Sequence, residues 1–293
     1  MLLNKRISIW YFVNQIKFQI ILIICFAVFV GYIDTHPWLQ NVMLPLPVTA
    51  ILGTAVSLLL AFRTSQSYDR WWEARKVWGA IVNDSRTFTR QVIQFVPETK
   101  QDEIKTFAER QIIWTYALGE SLRRQPFSEK VKVYAEANNI RATNIPNALI
   151  DAHALQIKRL AKDGVLTEFQ VMQLNTTIAG FCNSMGMCER IKNTVFPRAY
   201  SLLLHTLIYV FTMLLPFGLD DNKIVVEITL TILIPIIFIS IEKTAILMQD
   251  PFENSPVDIP VTALAQTIET NIRQMIGENV SPAQQNNNLY YQM

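Results

Sequence analysis

Residues 45–79 read PLPVTAILGTAVSLLLAFRTSQSYDRWWEARKVWG, and the change of character part-way along this stretch decides the fold. From Val48 to Phe62 it carries no charge, and its polar groups are Thr49, Thr54 and Ser57, so this half can lie in hydrocarbon. From Arg63 to Lys76 come Arg63, Asp69, Arg70, Glu73, Arg75 and Lys76, interleaved with Tyr68, Trp71 and Trp72, which suit water and an interface. Pro45 and Pro47 stand where missing amide donors cost least, and no proline or glycine interrupts the charged half before Gly79. The stretch therefore predicts one helix that leaves a membrane and breaks near Gly79.

The composition of the whole chain agrees with a membrane protein. Of 293 residues, 51% are hydrophobic and 17% charged, and the mean hydropathy is +0.21. A net charge of +2 gives no general basic excess for nucleic acid. Three cysteines, Cys25, Cys182 and Cys188, make no disulfide framework. His36, His153 and His205 lie far apart in sequence, so no metal-ligand spacing arises.

Working outward, residues 1–17 mix Lys5, Arg6 and Lys17 with Trp10, Tyr11 and Phe12, as an interfacial prelude does. The run from Phe18 to Ile33 is too long for a signal core and lacks a cleavage pattern, so it is expected to be the first span. The second is Val42 to Phe62. Two further runs, Ala199 to Leu219 and Ile224 to Met248, are joined by the polar turn Asp220 to Lys223. Each is near the ~20 residues that a helix needs to cross hydrocarbon. Of the 26 basic residues, three precede the first span, twenty lie from Arg63 to Arg198, and Lys223 falls in a loop on the far side. The positive-inside rule then puts both termini and the middle region in the cytoplasm.

The expected organisation is thus 1–62 for the prelude and transmembrane helices 1 and 2, 63–196 for a cytoplasmic helical region, 197–248 for transmembrane helices 3 and 4, and 249–293 for a cytoplasmic C-terminal segment. In the middle region Val92, Ile93, Phe95, Ile104, Phe107, Ile112, Ile113 and Trp114 recur at helical spacing. Breaks are expected at 98–103, 126–129, 138–146 and 162–164. Pro251, Pro256 and Pro260 forbid a regular helix after the last span. Beyond them Leu264, Ile268, Ile272 and Met275 mark a short amphipathic helix, and 281–293 is expected to be disordered.

No Gly-rich phosphate loop, HExxH or GxSxG is present, so catalytic residues, cofactors and bound metal are not expected. The Tyr68, Trp71, Trp72, Arg75 and Trp78 cluster reads as packing at a membrane exit. Asp69, Arg70, Glu73 and Arg75 read as ion pairs along one helix. Glu242 and Lys243, inside ISIEKTAIL, read as charges paired within a bundle or snorkelling to an interface.

The string FRTSQSYDRWWEARKVWG, the Pro-flanked apolar helix before it and DPF at Asp250 to Phe252 resemble the bestrophin family, above all its bacterial members. The likeness covers most of the chain, up to about Ala263. It implies an all-α integral membrane protein with four transmembrane helices per subunit, a helical cytoplasmic region and assembly as a homopentamer. Monovalent ions, chloride or sodium, would pass down a fivefold axis in a bacterial inner membrane, and the subunit's partners would be those ions, the lipid bilayer and its own copies. The second span would line an apolar neck. Matching on Leu46, Pro47 and Gly53 turns Ala50 and Thr54 to the axis; matching on Arg63 and Tyr68 turns Ile51 and Ala55 there instead. A cytoplasmic constriction would fall on Phe169, at the start of a helix Thr167 to Cys182. Animal members bind calcium at an acidic run after the PF pair, where this chain has ENSPVD with Glu253 and Asp258, which argues against calcium gating. A membrane-anchored scaffold without a pore is the rival reading.

Overall fold

Long apolar runs without helix-breaking residues set the longest elements. The computed structural model describes residues 9–33, 44–194, 196–219 and 224–280, and within them the regular elements are helices. In chain order these are α1 (Ile9–Ile33), α2 (Leu46–Phe95), α3 (Gln101–Leu122), α4 (Glu129–Ala137), α5 (Ile145–Lys162), α6 (Glu168–Asn193), α7 (Arg198–Leu214), α8 (Ile224–Gln249) and α9 (Val261–Met275).

α2 corrects the expected break. It is 50 residues long and runs straight through Gly79 to Phe95, ahead of Pro97. A glycine inside a helix costs only about 1 kcal/mol relative to alanine. The fully buried Trp78, Ile81, Ser85 and Phe88 that follow or flank Gly79 outweigh that cost by packing. The real stop is a proline, whose missing amide and ring clash cost about 3 kcal/mol or more.

The chain divides into two compact units, one within 6–70 and 195–249, the other within 71–194 and from 250 onward. The first holds α1, the opening part of α2, α7 and α8. Its core is Ile16, Ile23, Val56, Leu60, Leu204, Ile208, Phe211, Leu215 and Ile239. Two glycines allow close helix approach: a Cβ on Gly31 would lie 2.8 Å from Ile228, and one on Gly53 would lie 3.0 Å from the Phe211 ring. The outside of this unit is also apolar, with Phe18, Leu22, Phe29, Leu202, Val225 and Leu233 exposed, as lipid contact requires. Helices α1, α2 and α8 contain stretches long and apolar enough to cross a membrane, with mean hydropathies of 2.1, 1.7 and 2.6. α1 starts at Ile9, ahead of the expected Phe18. α7 has 17 residues, about 25 Å of helix. It stops short of the expected Leu219 because Pro216 opens a tight 3-10 turn through Gly218. The polar turn Asp220 to Lys223 and the tail 281–293 lie outside the described residues.

In the second unit α3 is central, packed by α4, α5, α6 and α9. Its buried side chains include Phe107, Ile112, Trp114, Ala117 and Leu118. The breaks after α2, α3, α4 and α5 fall at or beside the expected polar and Pro-rich segments, although α3 already starts at Gln101, inside the expected break 98–103. α6 begins at a capping box in which Thr167 and Gln170 bond each other's backbone, and it continues past Cys182 to Asn193 because no proline stops it. α9 buries Val261, Ala265, Ile268 and Ile272, so the expected stripe holds at its centre while Leu264 is only half-buried. Cys25 and Cys182 are exposed and Cys188 is buried, each as a free thiol.

Candidate functional site

The part of α2 in the first unit has one packed side and one open side. Thr49, Val56, Leu60, Arg63 and Ser67 are buried, a spacing that follows one face of a helix. Ala50, Ile51, Thr54 and Ala55 are all exposed, Ile51 by 69%. The two pairs proposed for the neck lie on either flank of a line through Pro47, Leu58 and Phe62, which are exposed as well. Thr54 and Ser57 donate their hydroxyls to the carbonyls of Ala50 and Gly53, both at 2.8 Å, so neither donor is left unmet on an apolar surface.

At the end of this face the packed side carries a buried charge. Arg63, 3% exposed, donates to Glu242 of α8 at 3.3 Å, and the guanidinium lies over the Phe196 ring, 5.1 Å from its centroid. The other Glu242 oxygen faces His205 Nδ1 of α7 at 3.3 Å. Tyr200 donates to the Leu59 carbonyl at 2.9 Å, tying α7 to α2 one turn earlier. Sequence reasoning singled out Glu242 but missed both partners. The signal was present: an arginine borders one apolar run while a histidine and a glutamate interrupt two others, and a buried charge needs an opposite one.

Phe169 belongs to the second unit. It is the second residue of α6 and is 80% exposed, with Met172 exposed one turn on, so the helix presents two large apolar side chains to its surroundings. The aromatic cluster after Arg63 is divided in role. Trp78 is fully buried, Trp71 donates its indole N–H to the Val257 carbonyl at 3.0 Å and stacks near Trp72, and Trp72 remains exposed. Glu73 pairs across to Arg190 of α6 at 2.9 Å, an inter-helix contact and not the expected bridge along α2.

The segment after α8 uses its carboxylates internally. Asp250 accepts from Lys192 at 2.6 Å and from the Phe252 amide at 3.0 Å. Asp258 is 1% exposed and accepts from the Ser255 amide and hydroxyl. Burial pushes its pKa up, and those hydrogen bonds pull against the rise. Trp71 and the Ile259 amide, bonded to the Pro251 carbonyl, hold the loop in shape. Among the described residues no three His, Cys, Asp or Glu side chains converge as a metal site.

A family model described as Bacterial/Fungal Bestrophin protein matches residues 8–274. The voltage-dependent anion channel-forming protein YneE of Escherichia coli is 30% identical over 297 residues, covering 99% of this chain and 96% of that protein. A protein of the same description in Ralstonia nicotianae is 29% identical over 270 residues, covering 90% and 88%. The crystal structure of a bacterial bestrophin homologue from Klebsiella pneumoniae superposes with a TM-score of 0.83 at 25% identity, over 90% of this chain and 100% of that one. With its helical architecture and a family match across nearly its whole length, the chain belongs to the bacterial and fungal bestrophin family.

Proposed function

We propose that this chain is the subunit of a homopentameric channel that passes small monovalent ions along a central axis. It is a membrane protein of a channel family and not an enzyme. The carrying observation is the open side of α2. Its residues from Leu46 to Phe62 leave an apolar face uncovered in the single chain while the opposite face is packed. A ring of copies gives that face two uses, one flank against the neighbouring subunit and one toward the axis. There an apolar neck formed by Ala50 and Thr54, or by Ile51 and Ala55, controls conduction by diameter and dewetting. Phe169 forms a second constriction at the cytoplasmic mouth.

In this reading α1, α2, α7 and α8 cross the bacterial inner membrane, with residues 63–196 and 249–293 and both termini in the cytoplasm. The short α7 is completed across the bilayer by the turn that follows it. The relatives' names, as anion channel-forming proteins, favour an anion such as chloride over sodium. Reversal potentials of purified protein in a planar bilayer under a NaCl gradient test both points, with subunit stoichiometry from native mass spectrometry. A pentamer whose reversal potential follows chloride is the expected result. A monomer without conductance would leave a membrane-anchored scaffold.

A further inference from the structure

Surface guanidinium groups usually face carboxylates, and two on one helix face without any acid leave a local field to be met by something else. One turn apart on α2, Arg86 and Arg90 line an open cavity of about 410 Å³ together with Asn271, Gln274 and Met275 of α9. Arg86 Nε donates to Asn271 Oδ1 at 2.8 Å, which fixes the guanidinium and leaves its terminal nitrogens uncommitted. Neither arginine forms an ion pair with a described residue.

The nearby acids are paired elsewhere or turned away. Glu269 takes Lys130 at 2.6 Å, Tyr116 at 2.8 Å and Arg273 at 2.9 Å. Glu278 takes Arg273 at 2.8 Å. Asp84, the acid nearest in sequence on α2, points to Gly180 of α6, within 3.2 Å of where a Cβ would stand. The carbonyl end of α9 is closed too: the amides of Ile276, Gly277 and Glu278 bond Ile272, Gln274 and Arg273. Gly277 adopts a φ of 85°, which lets the chain make that closure.

We propose that Arg86, Arg90, Asn271 and Gln274 form a binding site for a phosphoryl oxyanion, supplied as inorganic phosphate or as the head of a small phosphomonoester. Two guanidinium forks present parallel N–H donors that match the spacing of oxyanion oxygens, which a spherical halide does not exploit. Their two positive charges balance the charge of about −1.5 to −2 on a phosphoryl group near pH 7, whereas a carboxylate leaves one uncompensated. Because Asn271 Oδ1 accepts from Arg86, its amide N–H groups remain to donate. The cavity has room for a phosphate with a small organic tail.

The test is calorimetric titration of the full-length protein in detergent with inorganic phosphate, glycerol phosphate and, at matched ionic strength, sodium acetate. Saturable binding of at least one phosphoryl ligand, with none for acetate, is expected. Tighter binding of glycerol phosphate assigns a phosphomonoester; equal or weaker binding assigns inorganic phosphate. Arg90→Gln should weaken binding at least about tenfold. Arg90→Lys keeps the charge but loses the fork, so it too should weaken binding, while the exposed Arg141→Gln should not. Arg90 is exposed, so these variants should keep the parent's unfolding temperature. No saturable binding overturns the proposal. Binding that survives Arg90→Gln and Arg90→Lys unchanged also overturns it, since phosphate is then an adventitious ion only.

Discussion

Glu242 holds two side chains from two other helices, Arg63 on one oxygen and His205 on the other, inside a unit that also buries Glu227 and Thr231 beside its apolar core cluster. Removing one member of a buried pair strands the other charge, at a cost of about 3–5 kcal/mol, while replacing both by apolar groups often costs little. Glu242→Gln should therefore lower the unfolding temperature sharply, and Arg63→Met combined with Glu242→Leu should recover most of the loss. A Glu242→Gln protein that unfolds with the parent would sink this account. His153 poses the opposite problem, a neutral group kept neutral. It is fully buried, stacked parallel to Phe107 with its edge to Phe88, and Nδ1 lies 3.5 Å from Arg110. Burial first, and the Arg110 charge second, hold its pKa well below the usual value. The unfolded chain takes up this proton near pH ~6.5 and the folded one does not, so the unfolded state binds more protons below that point. Stability from His153 is complete above pH ~6.5 and drains away as the pH falls, by up to about 1.4 kcal/mol per pH unit. His153→Gln should flatten the acid side of a plot of unfolding temperature against pH. An unchanged slope assigns the acid sensitivity to other groups.

At the scale of elements, the identity and order of the helices were legible in apolar runs and in their breaks, because both depend on local chemistry. Where a helix ends was less so. Gly79 looked like a terminator because local propensity disfavours it, yet the buried stripe around it carries α2 onward. A Cβ at Gly79 would meet nothing nearer than an Arg75 nitrogen at 3.8 Å. Gly79→Ala should then stabilise the protein by about 0.5–1 kcal/mol. Gly53→Val should destabilise it, because the first added carbon already lies 3.0 Å from Phe211. Thermal unfolding of the two variants should move in opposite directions, and a gain at Gly53 would mean that α2 and α7 do not approach as described. The segment from Asp250 to Pro260 was legible as irregular from its prolines, but the use of its acids was not, since Lys192 lies 58 positions away in sequence. Calcium prefers about six to eight oxygen ligands, and here Asp250 and Asp258 already accept from Lys192, Phe252 and Ser255. Adding calcium should leave the unfolding temperature unchanged. A micromolar-range stabilisation that disappears in Asp258→Ala would show that carbonyls and waters complete a site.

For the whole molecule the relevant unit is the proposed ring of copies, and here the sequence is informative only in part. It marks α2 as the helix that is half apolar and half charged, but a turn of about 100° per residue places Ala50 and Ile51 on neighbouring flanks of one exposed side. Which flank meets the axis depends on how copies pack against each other, a property that no single-chain periodicity encodes. Substitution resolves it, because in a pentamer each change acts five times at one radius. Adding bulk on the flank that lines the neck narrows and dries the ring, so conductance should fall steeply. The same bulk on the other flank is met by a neighbouring helix and should alter assembly or stability before conductance. Ala50→Phe and Ile51→Phe should accordingly differ, and the one that blocks current while leaving the pentamer intact identifies the register. Phe169→Ala tests the separate barrier proposed for α6. It removes an 80% exposed ring at the start of α6, and with it the proposed constriction at the cytoplasmic mouth, so conductance should rise for ions that remain partly hydrated while anion-to-cation preference changes little. Single-channel recordings of the three variants check all of this together. If every one conducts as the parent does, neither α2 nor α6 lines the ion path.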